Sequence, residues 1–562
     1  MSRRALAFVL GFSAAAAFGQ ASVPLDQLPR PSEQPLPQAP PLAPRPEIVL
    51  PPLPRPDGPA LSRGLTIAPK AFRFVGNTAV PTEELERIAA PYVGRPIGNA
   101  ELEALRQLVT RRYIEAGYVN SGAVIPDQDV ADGVITLQVV EGRVSQIVVG
   151  GAQGFRPSVL ANRLALGAGP PLNVNDLQER MQLMLQDPLI SQLSAQLAPG
   201  IAPGEAVLRV DVAEAKRYLV GIALDDDRSP AVGAYQAQPF FVARNVLGLG
   251  DVLGVRGAFT SGVDEGTLTY GVPLTARGLA LNARYVNTRS RIVEAPLDEL
   301  DISAKSQAFD VGLAYPVWQA LQGEVATTAT LSRRSTRSYF LGEPSTFIPG
   351  APDGKVVTSA IRLGIEGAWR TQAQVLAGRL LVSRGFDGPG STIAPEEFPD
   401  SVFTTVIVQL QWVRLLGANA QFVARGDMQR AFDPLVGSEK YSLGGLDSVR
   451  GYRKDALVRD SGRFVSAELR YLIGRHPLIK GPAGGEGALR LAAFFDYGQV
   501  WDYAASGEKR PLSSAGPGIR WEPVRGSELA LYYGRQLRTL DTPTETLPDR
   551  GFNVRLTLSY AF

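Results

Sequence analysis

The chain has 562 residues, with 57 Lys+Arg against 55 Asp+Glu; the formal net charge of +2 supplies no field for a nucleic-acid partner, and none is expected. Cysteine is absent, which excludes disulfides, thiolate metal sites and a catalytic thiol. One histidine, His476, leaves little material for imidazole catalysis.

At the N-terminus Arg3 and Arg4 precede an apolar stretch from Ala5 to Phe18 and then small residues, so residues 1–21 are predicted to be an export signal. The apolar core is shorter than the roughly 20 residues a spanning helix needs. Residues 22–66 carry proline every few positions, among them Pro29, Pro31, Pro35, Pro37, Pro44 and Pro46. Such a segment sustains neither a helix nor a sheet ladder, which predicts a semi-extended linker.

Two stretches of similar size follow, at 67–142 and 143–216, and both read β-α-α-β-β. In the first, Phe72 to Val75 is strand-like. Thr82 and Asn99 cap helices, the second with Leu102, Leu105, Leu108 and Val109 on one face, and Gly117 stops that helix. Gly122 to Ile125 and Val134 to Val139 complete it. The second stretch has strands at Val144 to Val149, Ile190 to Leu197 and Ala206 to Val212, with helices near 157–165 and 173–186. This order, with FVGNTAV at Phe74 to Val80 and VVEGRV at Val139 to Val144, resembles the polypeptide-transport-associated (POTRA) domain. The resemblance implies a small sheet whose edge is open to an extended peptide.

Residues 217–562 change texture to runs of about ten residues that alternate apolar and polar, the pattern of a strand with lipid on one face and water on the other. In the last run Phe552, Val554, Leu556, Leu558, Tyr560 and Phe562 share one side. Short connections alternate with long ones. The expected fold is a sixteen-stranded antiparallel transmembrane β-barrel behind two α+β domains, with both termini periplasmic. Its longest outside loop is the sixth, at 432–462.

Within that loop stands Val449-Arg450-Gly451-Tyr452, and the thirteenth strand ends on Phe494-Phe495-Asp496-Tyr497-Gly498. The pair resembles the signature motifs of two-partner secretion transporters, the TpsB family, and the likeness extends from Phe72 to Phe562. It implies that the sixth loop folds into the lumen as a latch, with Val449, Arg450, Gly451 and Tyr452 facing a wall motif of Phe494, Asp496 and Gly498. Arg450 would then pair with Asp496. Tyr560 and Phe562 would form the C-terminal barrel signature. Some members of the family carry a plug helix ahead of the linker; the early prolines argue against one here, so that plugging would rest mainly on the loop.

The resemblance further implies an outer-membrane transporter for a secreted client with an N-terminal secretion domain, of adhesin or haemolysin type. Its surroundings would be outer-membrane lipid, with the barrel-assembly machinery needed for its own insertion. No P-loop, GxSxG or HExxH motif is present, so neither enzyme activity nor a cofactor nor a metal is expected. Asp225, Asp226 and Asp227, at the end of the first strand, read as a solvated loop edge, with cation binding the lesser alternative. The alternatives are a barrel-assembly factor and a passive solute channel, and two rather than five POTRA-like repeats favour a dedicated client.

Overall fold

The structure, a computed structural model, describes residues 27–39, 44–50, 66–130, 132–295, 297–345, 348, 351–395, 398–481, 485–503, 509–540 and 551–562. The expected export signal, and residues 22–26, 40–43 and 51–65 of the expected linker, lie outside them. Contacts divide the chain into two units, Leu42–Ala215, and Met1–Pro41 together with Lys216–Phe562.

The first unit holds both small domains. It opens with a short strand, β1 (Glu47–Val49), and the first domain then runs β2 (Ala71–Val75), α1 (Thr82–Ala89), α2 (Asn99–Glu115), β3 (Gly122–Val124) and β4 (Val134–Val140). Its sheet order is β2-β4-β3, with β2 and β4 parallel. The core follows the helical and strand periods: Leu105, Val109 and Tyr113 at steps of four from α2 meet Phe72 and Phe74 of β2 and Ile135, Leu137 and Val139 of β4. Leu108, which the sequence puts on that face, is exposed, because the buried stripe of α2 runs through positions 105, 109 and 113.

The two quoted motifs of this domain meet at one carboxylate. Glu141, in VVEGRV, accepts from the backbone N–H of Thr78 at 2.6 Å and of Ala79 at 2.7 Å, in FVGNTAV, and from Tyr113 Oη at 2.9 Å. Burial pushes its pKa up, but these bonds, with another from the Thr78 hydroxyl, outweigh it and hold the carboxyl below its ordinary value.

The second domain runs β5 (Arg143–Gly150), α3 (Pro157–Ala165), α4 (Val174–Met184), β6 (Ile190–Pro199) and β7 (Glu205–Glu214). Asn173 caps α4, its Oδ1 accepting from Asn175 N at 2.9 Å. The sheet order is β1-β6-β7-β5, so the edge of β6 carries β1, a strand from the proline-rich segment.

In the second unit, sixteen long strands among the described residues close into an antiparallel barrel, with short pairings added at loop ends. The first strand, Tyr218–Asp225, pairs with the last, Phe552–Ala561, from Leu219↔Ala561 to Asp225↔Arg555. Tyr218 and Phe562 exchange backbone hydrogen bonds of 3.1 and 2.9 Å at the end of this seam. The alternation holds: along the twelfth strand, Ser461–Arg475, Val465, Leu469, Tyr471 and Ile473 are exposed on the outer face, while Ser466 and Glu468 are buried inside. Apolar side chains are exposed in this way on the outer face all round the closed barrel.

Candidate functional site in the barrel lumen

Between the eleventh strand, Ala420–Ala431, and the twelfth, the sixth loop turns inward. Tyr441–Leu443 pairs with Leu457–Arg459 as a small hairpin inside it. Val449 and Tyr452 join Tyr441, Leu443 and Leu457 in an apolar cluster with Phe464, Val500 and Leu512 of the barrel wall. This cluster gives the loop a dry footing on the wall, and the arginine is held next to it.

Arg450 is 1% exposed and Asp496 is fully buried. The guanidinium grips the carboxylate with two parallel bonds, Nε to Oδ2 and Nη2 to Oδ1, both 2.8 Å, while the Arg450 backbone N–H reaches Oδ2 at 3.1 Å. Nη1 donates to Glu468 Oε2 at 2.5 Å and Nη2 also to Ser466 Oγ at 3.1 Å. The cation lies 3.7 Å from the ring centre of Phe494 and 4.8 Å from that of Tyr532, whose hydroxyl donates to Glu468 at 2.8 Å. A planar donor fork matched to a carboxylate and stacked on aromatic faces is a task for arginine that lysine does not fulfil. Two carboxylates, a hydroxyl and two rings together replace the water the cation has lost.

The rest of the motif fits closely around this bond. Gly451 has φ +85, and an added Cβ would lie 2.2 Å from the Gly534 carbonyl oxygen. Tyr452 Oη donates to Ser513 O at 3.0 Å. Gly498 leaves room for the loop, since a Cβ there would come within 2.4 Å of the Leu443 side chain. Tyr560 and Phe562 sit elsewhere, on the outer face, stacked on one another at 6.3 Å with Phe562 also 5.5 Å from Tyr218.

The structure corrects the reading of Asp225, Asp226 and Asp227. Asp225 and Asp227 are buried and all three are bonded. Gln238 Nε2 donates to Asp225 at 2.7 Å, Val554 N to Asp226 at 2.8 Å and Leu446 N to Asp227 at 2.7 Å. Arg555 of the last strand bridges Asp227 and Asp447 at 3.3 and 2.9 Å. First strand, last strand and sixth loop are thereby pinned at one point. The available signal was Arg555 on the water-facing side of the last strand, a cation that needs acceptors.

A second segment also fills the lumen. Gln27–Ala39, within the expected linker, is largely buried among wall residues, and its only regular turn is a 3-10 turn at Pro31–Glu33. Prolines strip this stretch of N–H donors, so it cannot add to the barrel sheet, and its carbonyls take donors from the wall instead. Arg334 donates to Pro29 O at 2.8 Å, Gln409 to Ser32 O at 2.7 Å, and Arg379 to Gln34 O and Pro35 O at 3.2 and 2.9 Å. Its side chains reach the sixth loop: Glu33 pairs with Lys454 at 3.3 Å and Arg30 with Asp455 at 3.6 Å. Plugging therefore does not rest on the loop alone.

Residues 204–521 match the family described as haemolysin secretion/activation protein ShlB/FhaC/HecB, and 67–142 match the ShlB-type POTRA domain. The chain is 22% identical over 444 residues to the outer membrane transporter CdiB of Dickeya dadantii strain 3937, covering 77% of this chain and 76% of the relative. It is 22% identical over 450 residues to the heme/hemopexin transporter protein HuxB of Haemophilus influenzae strain 86-028NP, covering 75% and 74%. The solved structure of CdiB from Escherichia coli shares the fold, with a TM-score of 0.64 over 90% of this chain and 93% of that one at 20% identity.

Proposed function

Because the chain belongs to the haemolysin secretion/activation family, we propose that its barrel exports one dedicated protein client, which the two periplasmic POTRA domains first capture in extended form. It is an outer-membrane transporter of the two-partner type, and its partner is a secreted protein. The client's finer description is part of the proposal: a large adhesin or haemolysin with an N-terminal secretion domain. So are an export signal at 1–21, outer-membrane lipid around the barrel and insertion by the assembly machinery. Family members are transporters rather than enzymes, and the lumen site is assigned no catalytic role.

One observation carries the reading. The lumen holds an extended stretch of this same chain by its main-chain carbonyls, through Arg334, Gln409 and Arg379. A client in transit presents the same unpaired carbonyls whatever its sequence. A solute channel has no use for such donors. In the closed state the Arg450–Asp496 latch keeps the sixth loop on the wall, and the loop's Lys454 and Asp455 keep the N-terminal segment in place. Export requires the segment to leave and the loop to make room, and folding of the client outside draws the chain through.

The test is export of a candidate client encoded beside the chain, in cells with and without it, with the abundance of other outer-membrane barrels followed in parallel. Loss of the client from the medium with other barrels unchanged is expected. General loss of barrel proteins would identify an assembly factor instead.

A further inference from the structure

The edge strand of the second POTRA domain is occupied, and by a segment poorly suited to stay there. β1 lies parallel on β6 with the register Glu47↔Ser194, Ile48↔Ala195, Val49↔Gln196. It therefore covers three residues of a strand that is ten long. Prolines forbid more: Pro44 and Pro46 before it, and Pro51 and Pro52 after it, have no N–H to donate to a ladder. Among the described residues, Ile190–Leu193 and Leu197–Pro199 have no strand partner on this side. A shallow cleft of about 380 Å³, lined in part by Pro44, Pro46, Leu185, Ser191 and Leu193, continues along the edge from β1.

The side chains of β1 show what the edge selects. Ile48 packs on the domain core, while Glu47 and Val49 point to solvent. An occupant needs an apolar residue at the Ile48 position and an extended backbone on either side, and nothing else about its sequence is constrained.

We propose that β1 is a placeholder on the β6 edge of the second POTRA domain, displaced by a longer, proline-free extended segment of the client; this rests on the secretion reading above. A client strand pairing along most of β6 forms ladder bonds that the prolines deny to β1, so it wins the edge although β1 is tethered beside it. The placeholder blocks the edge against stray strands, the hazard of any exposed sheet edge, until such a segment arrives.

The test uses the purified full-length chain and a fluorescein-labelled decapeptide of alternating threonine and valine as the probe, with binding read by anisotropy. Ile48→Pro with Val49→Pro removes an N–H from β1 whichever of the two adjacent residues faces β6, and opens the edge. A disulfide between Glu47→Cys and Ser194→Cys, which are register partners on the exposed face, closes it in a chain free of other cysteines. The double-proline form is expected to bind about tenfold more tightly than the unaltered chain, because an occupied edge lowers apparent affinity by the fraction of time it is free. The oxidised pair is expected to lose binding, and reductant to restore it. Equal binding by all three forms, or none by the double-proline form, overturns the proposal. Export of the client in cells carrying the cysteine pair separates the two readings. Client export that needs the chain but ignores the closed edge removes the placeholder and leaves secretion standing. Peptide binding that follows the edge, with no secreted protein depending on the chain, does the reverse.

Discussion

Arg450 of the sixth loop and Asp496 of the thirteenth strand, 46 residues apart, are joined by two parallel hydrogen bonds of 2.8 Å in a site closed to water. The charges are worth little if separated, because each is buried. Asp496→Ala leaves the guanidinium with Glu468 and Ser466 alone, and removing one member of a buried pair costs about 3–5 kcal/mol. The expected outcome is a sixth loop cut by added protease in intact cells and a barrel that unfolds at lower temperature on gels. Arg450→Lys keeps the charge but loses the second bond and the ring stacking, and falls between the two.

Gly451 and Gly417 share nearly the same backbone, φ +85 and +84, in different surroundings. At Gly417 an added Cβ meets nothing within 4 Å, whereas at Gly451 it meets the Gly534 carbonyl. Gly417→Ala therefore carries only the left-handed backbone cost, about 1–2 kcal/mol. Gly451→Ala adds a clash that pushes the motif off the wall. Gel unfolding temperatures of the two variants check this, with the larger drop expected for Gly451→Ala.

Lys454 and Glu33 hold the N-terminal segment against the sixth loop, and Arg379 holds two of its carbonyls. Lys454→Met and Arg379→Met each loosen the segment without touching the Arg450 site. In planar bilayers both variants are expected to conduct ions more often than the unaltered chain, and the double variant more often than either. Conductance unchanged in the double variant would mean that the segment does not limit the pore.

Glu141 supplies a pH dependence in the first POTRA domain. Its folded pKa is depressed, so its contribution is complete above the unfolded carboxylate value, near 4.3, and is lost as pH falls through the lower folded value. Hydrogen-exchange protection of the segment Gly76–Val80 is expected to fall in acid below that value. Glu141→Gln keeps the side-chain shape and one acceptor but cannot titrate. Its exchange is expected to be faster at neutral pH and to lack the acid step.

The sequence made the barrel legible because a strand between lipid and water must alternate, and such alternation survives in Val465, Ser466 and Glu468 without knowledge of any neighbour. The β-α-α-β-β repeats were legible through their strand runs and helical stripes, although Thr82 and Asn99, expected as caps, are the first residues of α1 and α2, behind Pro81 and Gly98. Leu108 was misplaced because one residue's step around a helix separates core from solvent. The Asp225–Asp227 cluster was misread for a different reason: its acceptors serve Arg555 and Leu446, which lie 328 and 219 residues from Asp227 and carry no local pattern. The same holds for Gln27–Ala39 and for β1. Proline composition states what those segments cannot form, and only the barrel wall and the β6 edge determine where they rest.

A lock on the N-terminal segment tests most directly whether that segment must leave the lumen for export. Leu28 packs against Val286 of the fifth strand, Ala280–Arg291, and Ala308 of the sixth, Ser303–Ala320. In this cysteine-free chain Leu28→Cys with Ala308→Cys makes a single reversible tether. Client export is to be measured from cells carrying this pair, oxidised and then reduced, at equal barrel abundance. Export is expected at background in the oxidised form and to recover with reductant. Full export with the tether closed would contradict this expectation, because the client would then be passing a lumen that the segment had never left.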